Sequence, residues 1–164
     1  MAAERYRYTT ECLLFLNRPE GKLPTNMTCN VILGQDIECM EMLLMRGIDP
    51  NHHDGYLKCS MLAFACMNER IEMVKMLIRH CADLENKDSE GKTPLILAAY
   101  HGRKESIKSL LESKADPTAK DNDKQNALDR LGDFDWHGCG KLLRDAMTVR
   151  CQKTISLQNI LCFD

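Results

Sequence analysis

The chain has 164 residues, with 22 basic and 24 acidic side chains and a formal net charge of −2. Nucleic-acid binders usually carry a clustered basic face that neutralises phosphates, so this even charge without a Lys/Arg stripe argues against a nucleic-acid partner. No segment approaches the ~20 consecutive apolar residues that a spanning helix needs, so we expect no membrane insertion.

The predicted elements begin with a short apolar run at residues 12–16. We expect a helix over residues 11–16 that covers one end of the molecule. The next segment contains a clear helical pattern from Ile37 to Arg46, followed by Gly47. Glycine directly after a helix is typical of a left-handed C-terminal turn.

A spacing of about 33 residues dominates the middle of the chain. Residues 93–99 (TPLILAA) have equivalents 33 positions earlier, at 60–66 (SMLAFAC), and 33 positions later, at 126–128 (NAL). The pairs Ala82-Asp83 and Ala115-Asp116 are also 33 residues apart. Two markers in the same register indicate internal repeats.

Each repeat is predicted to contain two helices. Thr93 can cap the first helix with its hydroxyl, Pro94 suits the first helical turn, and Ser60 is the equivalent cap one repeat earlier. Gly102 permits the turn into the second helix. Apolar residues then recur at helical spacing, at Ile71, Val74, Leu77 and Ile78 in one unit and at Ile107, Leu110 and Leu111 in the next.

This combination resembles the ankyrin repeat family, whose unit is a β-turn followed by two helices. The resemblance implies an all-α solenoid, a stack of helix–turn–helix units with β-hairpin fingers. We predict four repeats near 26–54, 55–87, 88–120 and 121–147, which together form one domain over 26–147. An N-terminal capping segment, 1–25, precedes this domain, and a C-terminal hydrophobic tail, 148–164, follows it. Arg144 stands where the previous repeat has Leu111, as a terminal capping unit requires.

The resemblance also implies a function. Ankyrin proteins bind partners on a concave face built from the fingers and the exposed side of each first helix, so we expect a monomeric, non-enzymatic protein-binding module. It would act as an adaptor, scaffold or inhibitor in the cytoplasm or nucleus. The candidate contact residues are Tyr56, Leu57, Met67, Asn68, Ser89, Glu90, Lys92, Tyr100, His101, Asn122, Asp123 and Gln125, with Cys59, Asp133 and Phe134 at the edges of the set.

Residues that could support chemistry are sparse. Adjacent His80 and Cys81 are not placed for proton transfer, because catalytic pairs meet in space rather than in sequence. Two groups of His and Cys lack the paired spacing of structural zinc sites, so we predict no metal, no cofactor and no enzymatic activity. These groups are His52, His53, Cys59 and Cys66, and His137 with Cys139.

The nine cysteines include no CxxC pair, and we expect free thiols in a reduced intracellular protein. One alternative function is redox sensing, for which an exposed Cys59 beside Lys58 is the candidate thiol.

A second alternative involves the tail. Residues 156–159 (SLQN), followed by Leu161-Cys162, are similar to the start of a SOCS box, in which a Leu and a Cys four residues apart contact an elongin subunit. Such a box would make the chain a substrate-recognition adaptor of a cullin-type ubiquitin ligase. Here Leu157 and Cys162 are five residues apart.

One local conflict concerns the turn after the second helix of each repeat. The equivalents of Gly47 in the next two repeats are Cys81 and Lys114. We predict that both adopt the same left-handed conformation, at a cost of roughly 1–2 kcal/mol each.

Overall fold

The structure is a computed structural model that describes residues 27–53, 59–132 and 138–161. Within these ranges the chain forms eight helices and no extended strand, only one isolated antiparallel bridge between His53 and Ser60. The helices are α1 (Met27–Gly34), α2 (Ile37–Met45), α3 (Met61–Met67), α4 (Ile71–Arg79), α5 (Pro94–Tyr100), α6 (Lys104–Glu112), α7 (Ala127–Leu131) and α8 (Cys139–Leu161).

As predicted, the residue before the first helix of a repeat caps the N-terminus of that helix with its side chain. The hydroxyl of Ser60 accepts a hydrogen bond from the N–H of Ala63 (3.2 Å), and Thr93 does the same for Ile96 (3.3 Å). Asn126 takes the equivalent position in the last repeat and forms a reciprocal capping box with Asp129. Such bonds satisfy N–H groups that have no partner within the helix.

The helices form two layers. The first helices α1, α3, α5 and α7 pack side by side in chain order, and the second helices α2, α4, α6 and α8 pack in a parallel row behind them. One continuous core fills the space between the rows, and its largest fully buried members include Ile32, Leu43, Leu62, Leu77 and Leu95. The predicted all-α solenoid is confirmed.

Left-handed residues close both turns of the repeat. After the second helices, Gly47, Cys81 and Lys114 have φ angles of +84°, +61° and +74°, so the predicted left-handed conformation is confirmed at all three positions. Between the two helices of a repeat, Glu69 and Gly102 have φ angles of +53° and +64°. The repeat geometry therefore imposes this conformation whether or not the residue is glycine.

Tight turns replace long hairpins at the described finger positions. The N–H of Asp88 donates to the carbonyl of Lys92, and that of Asp121 donates to the carbonyl of Gln125, each at 3.0 Å. Gly91 has a φ angle of +76°, and a Cβ atom there would lie 2.4 Å from Oδ1 of Asn122. The turn at 88–92 therefore requires glycine at this position.

Hydrogen bonds link the turns of neighbouring repeats to one another. Oδ1 of Asn51 accepts from the N–H of Asp83 (2.7 Å), and a carboxylate oxygen of Glu85 accepts from the N–H of Asp116 (2.7 Å). Burial, the largest influence on Glu85, raises the pKa of this carboxyl above its ordinary value. The stack is thus held by polar contacts at its edge as well as by its core.

Two predictions about cysteine are wrong. Cys59, expected on the surface, is only 5% exposed, because the bridge between His53 and Ser60 places it against the core. Cys39, expected as a free thiol, is disulfide-bonded, whereas Cys66 and Cys81 are free, as predicted.

The ends of the chain are only partly described. The predicted helix over 11–16 and the anchors Phe134 and Trp136 lie outside the described residues. Arg144 is exposed, as expected of a terminal repeat. Helix α8 crosses the predicted boundary at residue 147 without a break and has 23 residues, against nine in each of α2, α4 and α6. No described helix is both long and apolar enough to cross a bilayer.

Candidate functional site: the inner face

The candidate contact residues in the middle of the stack meet on one surface. We call it the inner face: the exposed ends of the first helices together with the turns at 88–92 and 121–125. Tyr100, the last residue of α5, is 57% exposed. His101 caps α5, and its ring meets that of Tyr100 edge-on at a centroid distance of 5.2 Å. Met67 and Asn68 occupy the same two positions on α3, where both are half-buried.

An apolar position recurs along this face. Leu33 lies 34 residues before Met67, and Tyr100 lies 33 residues after it, each at the C-terminal end of a first helix. Leu33 is 45% exposed, and Met67 packs partly against the core. We call these three residues the apolar ladder. Phe64 and Leu97, one helical turn earlier, are buried beneath it.

Leu33 was not among the predicted contacts. The opening of the first repeat departs from the family pattern, so α1 had no clear motif to set its register. Counting back one repeat from Met67 would have identified Leu33, because the turns at Gly47 and Cys81 share the same 34-residue offset.

A cation and an aromatic ring define the centre of the inner face. Nζ of Lys92 lies 5.3 Å from the ring centroid of Tyr100, within the range of a cation–π contact. The same ammonium group forms an ion pair with Glu90 at 2.5 Å. Two predicted contacts, Lys92 and Glu90, therefore hold each other beside the exposed ring.

His101 lies in positively charged surroundings. Burial, followed by repulsion from Arg103 and Lys92, lowers the pKa of its imidazole below the ordinary value. Nε of Arg103 donates to the carbonyl of Met67 (2.8 Å), and a second guanidinium nitrogen lies 3.7 Å from Glu69. Arg103, from the third repeat, is thus bonded to the backbone of Met67 and to the side chain of Glu69 in the second repeat.

The last repeat closes the inner face with an ion-pair network that the sequence analysis missed. Nε of Arg130 lies 2.6 Å from Asp121, and Nη2 lies 2.5 Å from Asp123. Burial raises the pKa of the Asp121 carboxyl, but hydrogen bonds from Arg130 and from the N–H groups of Gln125 and Asp123 outweigh burial and lower the pKa. Asp123, a predicted contact, is therefore also part of this network.

The remaining predicted contacts divide into three groups. Asn122 joins the turns, because its N–H donates to the carbonyl of Glu90 (3.1 Å) and its side chain donates to that of Ser89 (3.4 Å). The side chains of Ser89 and Gln125 are exposed. Tyr56 and Leu57, like Asp133 and Phe134, lie outside the described residues.

The structure offers little chemistry elsewhere. The described residues contain no group of three His, Cys, Asp or Glu side chains that could hold a metal ion. Burial raises the pKa of the Cys66 thiol far above its ordinary value, which makes it unreactive. Cys81 is free and exposed, and His53 contacts Asn86 (2.7 Å) in the next repeat.

A cleft of about 460 Å³ lies on the second-helix side of the stack, away from the inner face. Its apolar wall includes Leu111, Pro117 and Val149. Arg150 of α8 reaches across to Asp116, with a nitrogen–oxygen distance of 3.0 Å. This partly exposed ion pair links α8 to the third repeat.

Comparison with known proteins agrees with this architecture. A family profile for ankyrin repeats, in three copies, matches residues 28–121, more than half of the chain. Human "SH3 and multiple ankyrin repeat domains protein 2" is 31% identical over 119 residues, which cover 71% of this chain and 6% of that protein. "Ankyrin repeat and SAM domain-containing protein 6" from Rattus norvegicus is 36% identical over 87 residues, 49% of this chain and 10% of that protein. "Protein glp-1" from Caenorhabditis elegans is 26% identical over 132 residues, 76% of this chain and 10% of that protein.

The chain thus corresponds to a tenth or less of the length of these relatives. What it shares with them is the repeat, whose role in general is to bind other proteins. On the profile match and the repeat geometry together, the chain belongs to the ankyrin repeat family.

Proposed function

We propose that this chain is a non-enzymatic module that binds a protein partner on its inner face, as an adaptor, scaffold or inhibitor. The observation that carries the proposal is the apolar ladder, because Leu33 and Tyr100 are both large and about half exposed. Aromatic and Met side chains are enriched at the centres of protein interfaces. Glu90 and Asp123 are exposed polar residues on the turns at 88–92 and 121–125.

Affinity capture from cell lysate tests this proposal. The baits are the full chain, a Leu33→Ala/Tyr100→Ala variant and a Met45→Ala control. Met45 is 76% exposed at the end of α2, in the second-helix row, so the control removes an exposed apolar side chain from outside the inner face. We expect a partner that the control retains and the double variant loses. Identical partners on all three baits would contradict the proposal.

The two alternative functions are redox sensing at Cys59 and a role as a ubiquitin-ligase adaptor. A redox sensor at Cys59 needs an exposed thiol, and Cys59 is buried, so that function is not proposed. A ligase adaptor would use the C-terminal end of α8, which extends as far as Leu161. Affinity capture can compare the full chain with a truncation after Met147. If both baits capture the same elongin and cullin components, or if neither captures any, the ligase-adaptor function is excluded.

A further inference from the structure

We draw no further inference here: the strongest candidate, the cleft of about 460 Å³ between α6 and α8, has charges of both signs, at Lys114 and Asp145, beside its apolar wall, and nothing in the structure shows what covers it.

Discussion

The replacement of Lys114 by glycine should stabilise the protein. Lys114 has a φ angle of +74° in the turn after α6, the position that glycine occupies after α2. The turn is held by the bond from the N–H of Lys114 to the carbonyl of Leu111 (3.0 Å) and by that from Ala115 to Leu110 (3.0 Å). These backbone bonds do not need the lysine side chain, which is exposed.

Two opposing contributions determine the size of the effect. Relief of the left-handed strain should gain about 1–2 kcal/mol, since a Cβ atom crowds the following carbonyl in this conformation. The greater conformational freedom of glycine in the unfolded chain reduces this gain by about 0.5–1 kcal/mol. The net gain is about 0–1.5 kcal/mol, and at roughly 2–4 °C per kcal/mol for a domain of this size the thermal midpoint rises by up to about 6 °C.

Thermal unfolding followed by circular dichroism measures this shift. Lys114→Ala is the matched control, because it removes the same side-chain atoms beyond Cβ but keeps the strain, so it should not raise the midpoint. Lys108→Gly, at an exposed position inside α6, should lose about 1 kcal/mol from helix propensity alone. A midpoint that falls in Lys114→Gly, or rises equally in Lys114→Ala, would refute the reasoning.

Three further predictions concern other parts of the stack. Gly91→Ala should destabilise the protein by at least about 2 kcal/mol in urea unfolding, because its Cβ would lie 2.4 Å from a neighbouring side-chain oxygen at a φ angle of +76°; an unchanged midpoint would contradict this geometry. Asp121→Asn should cost about 1–3 kcal/mol at pH 7 by weakening the pair with Arg130. The pKa of Asp121 is lower in the folded than in the unfolded protein. Its contribution to the free energy of unfolding is therefore complete above the unfolded pKa of about 3.9 and is lost as the pH falls through the folded pKa. The free energies of unfolding of wild type and variant should thus become equal in strong acid. Thiol labelling of native protein with a mass readout should modify exposed Cys81 well before buried Cys66, and equal rates would show that the core opens readily.

The features that could be predicted from the sequence are those that local chemistry controls. The caps at Ser60 and Thr93 depend on a side chain and an N–H group three residues away, so the order of residues is enough to identify them. The left-handed turns at Cys81 and Lys114 could be located by counting from Gly47, because the repeat imposes the same backbone at each equivalent position.

The candidate site could be predicted only where the repeat pattern was intact. Tyr100 and Met67 were identified as contacts because the motifs of α5 and α3 set their register, and both lie on the inner face. Leu33 was missed because the opening of the first repeat lacks that motif. Its exposure depends on what packs beside α1, which periodicity does not specify.

By itself, the sequence determined the repeat, the starts of α2, α3 and α5 and the family, because all of these follow from spacing and from bonds between near neighbours. Only the tertiary structure decided which residues the stack buries and pairs. Cys59 lies against the core, and Arg130 joins Asp121 to Asp123 across the last finger. Such contacts bring together residues from different elements, so their formation depends on how the packed helices and turns are placed rather than on the chain near each residue.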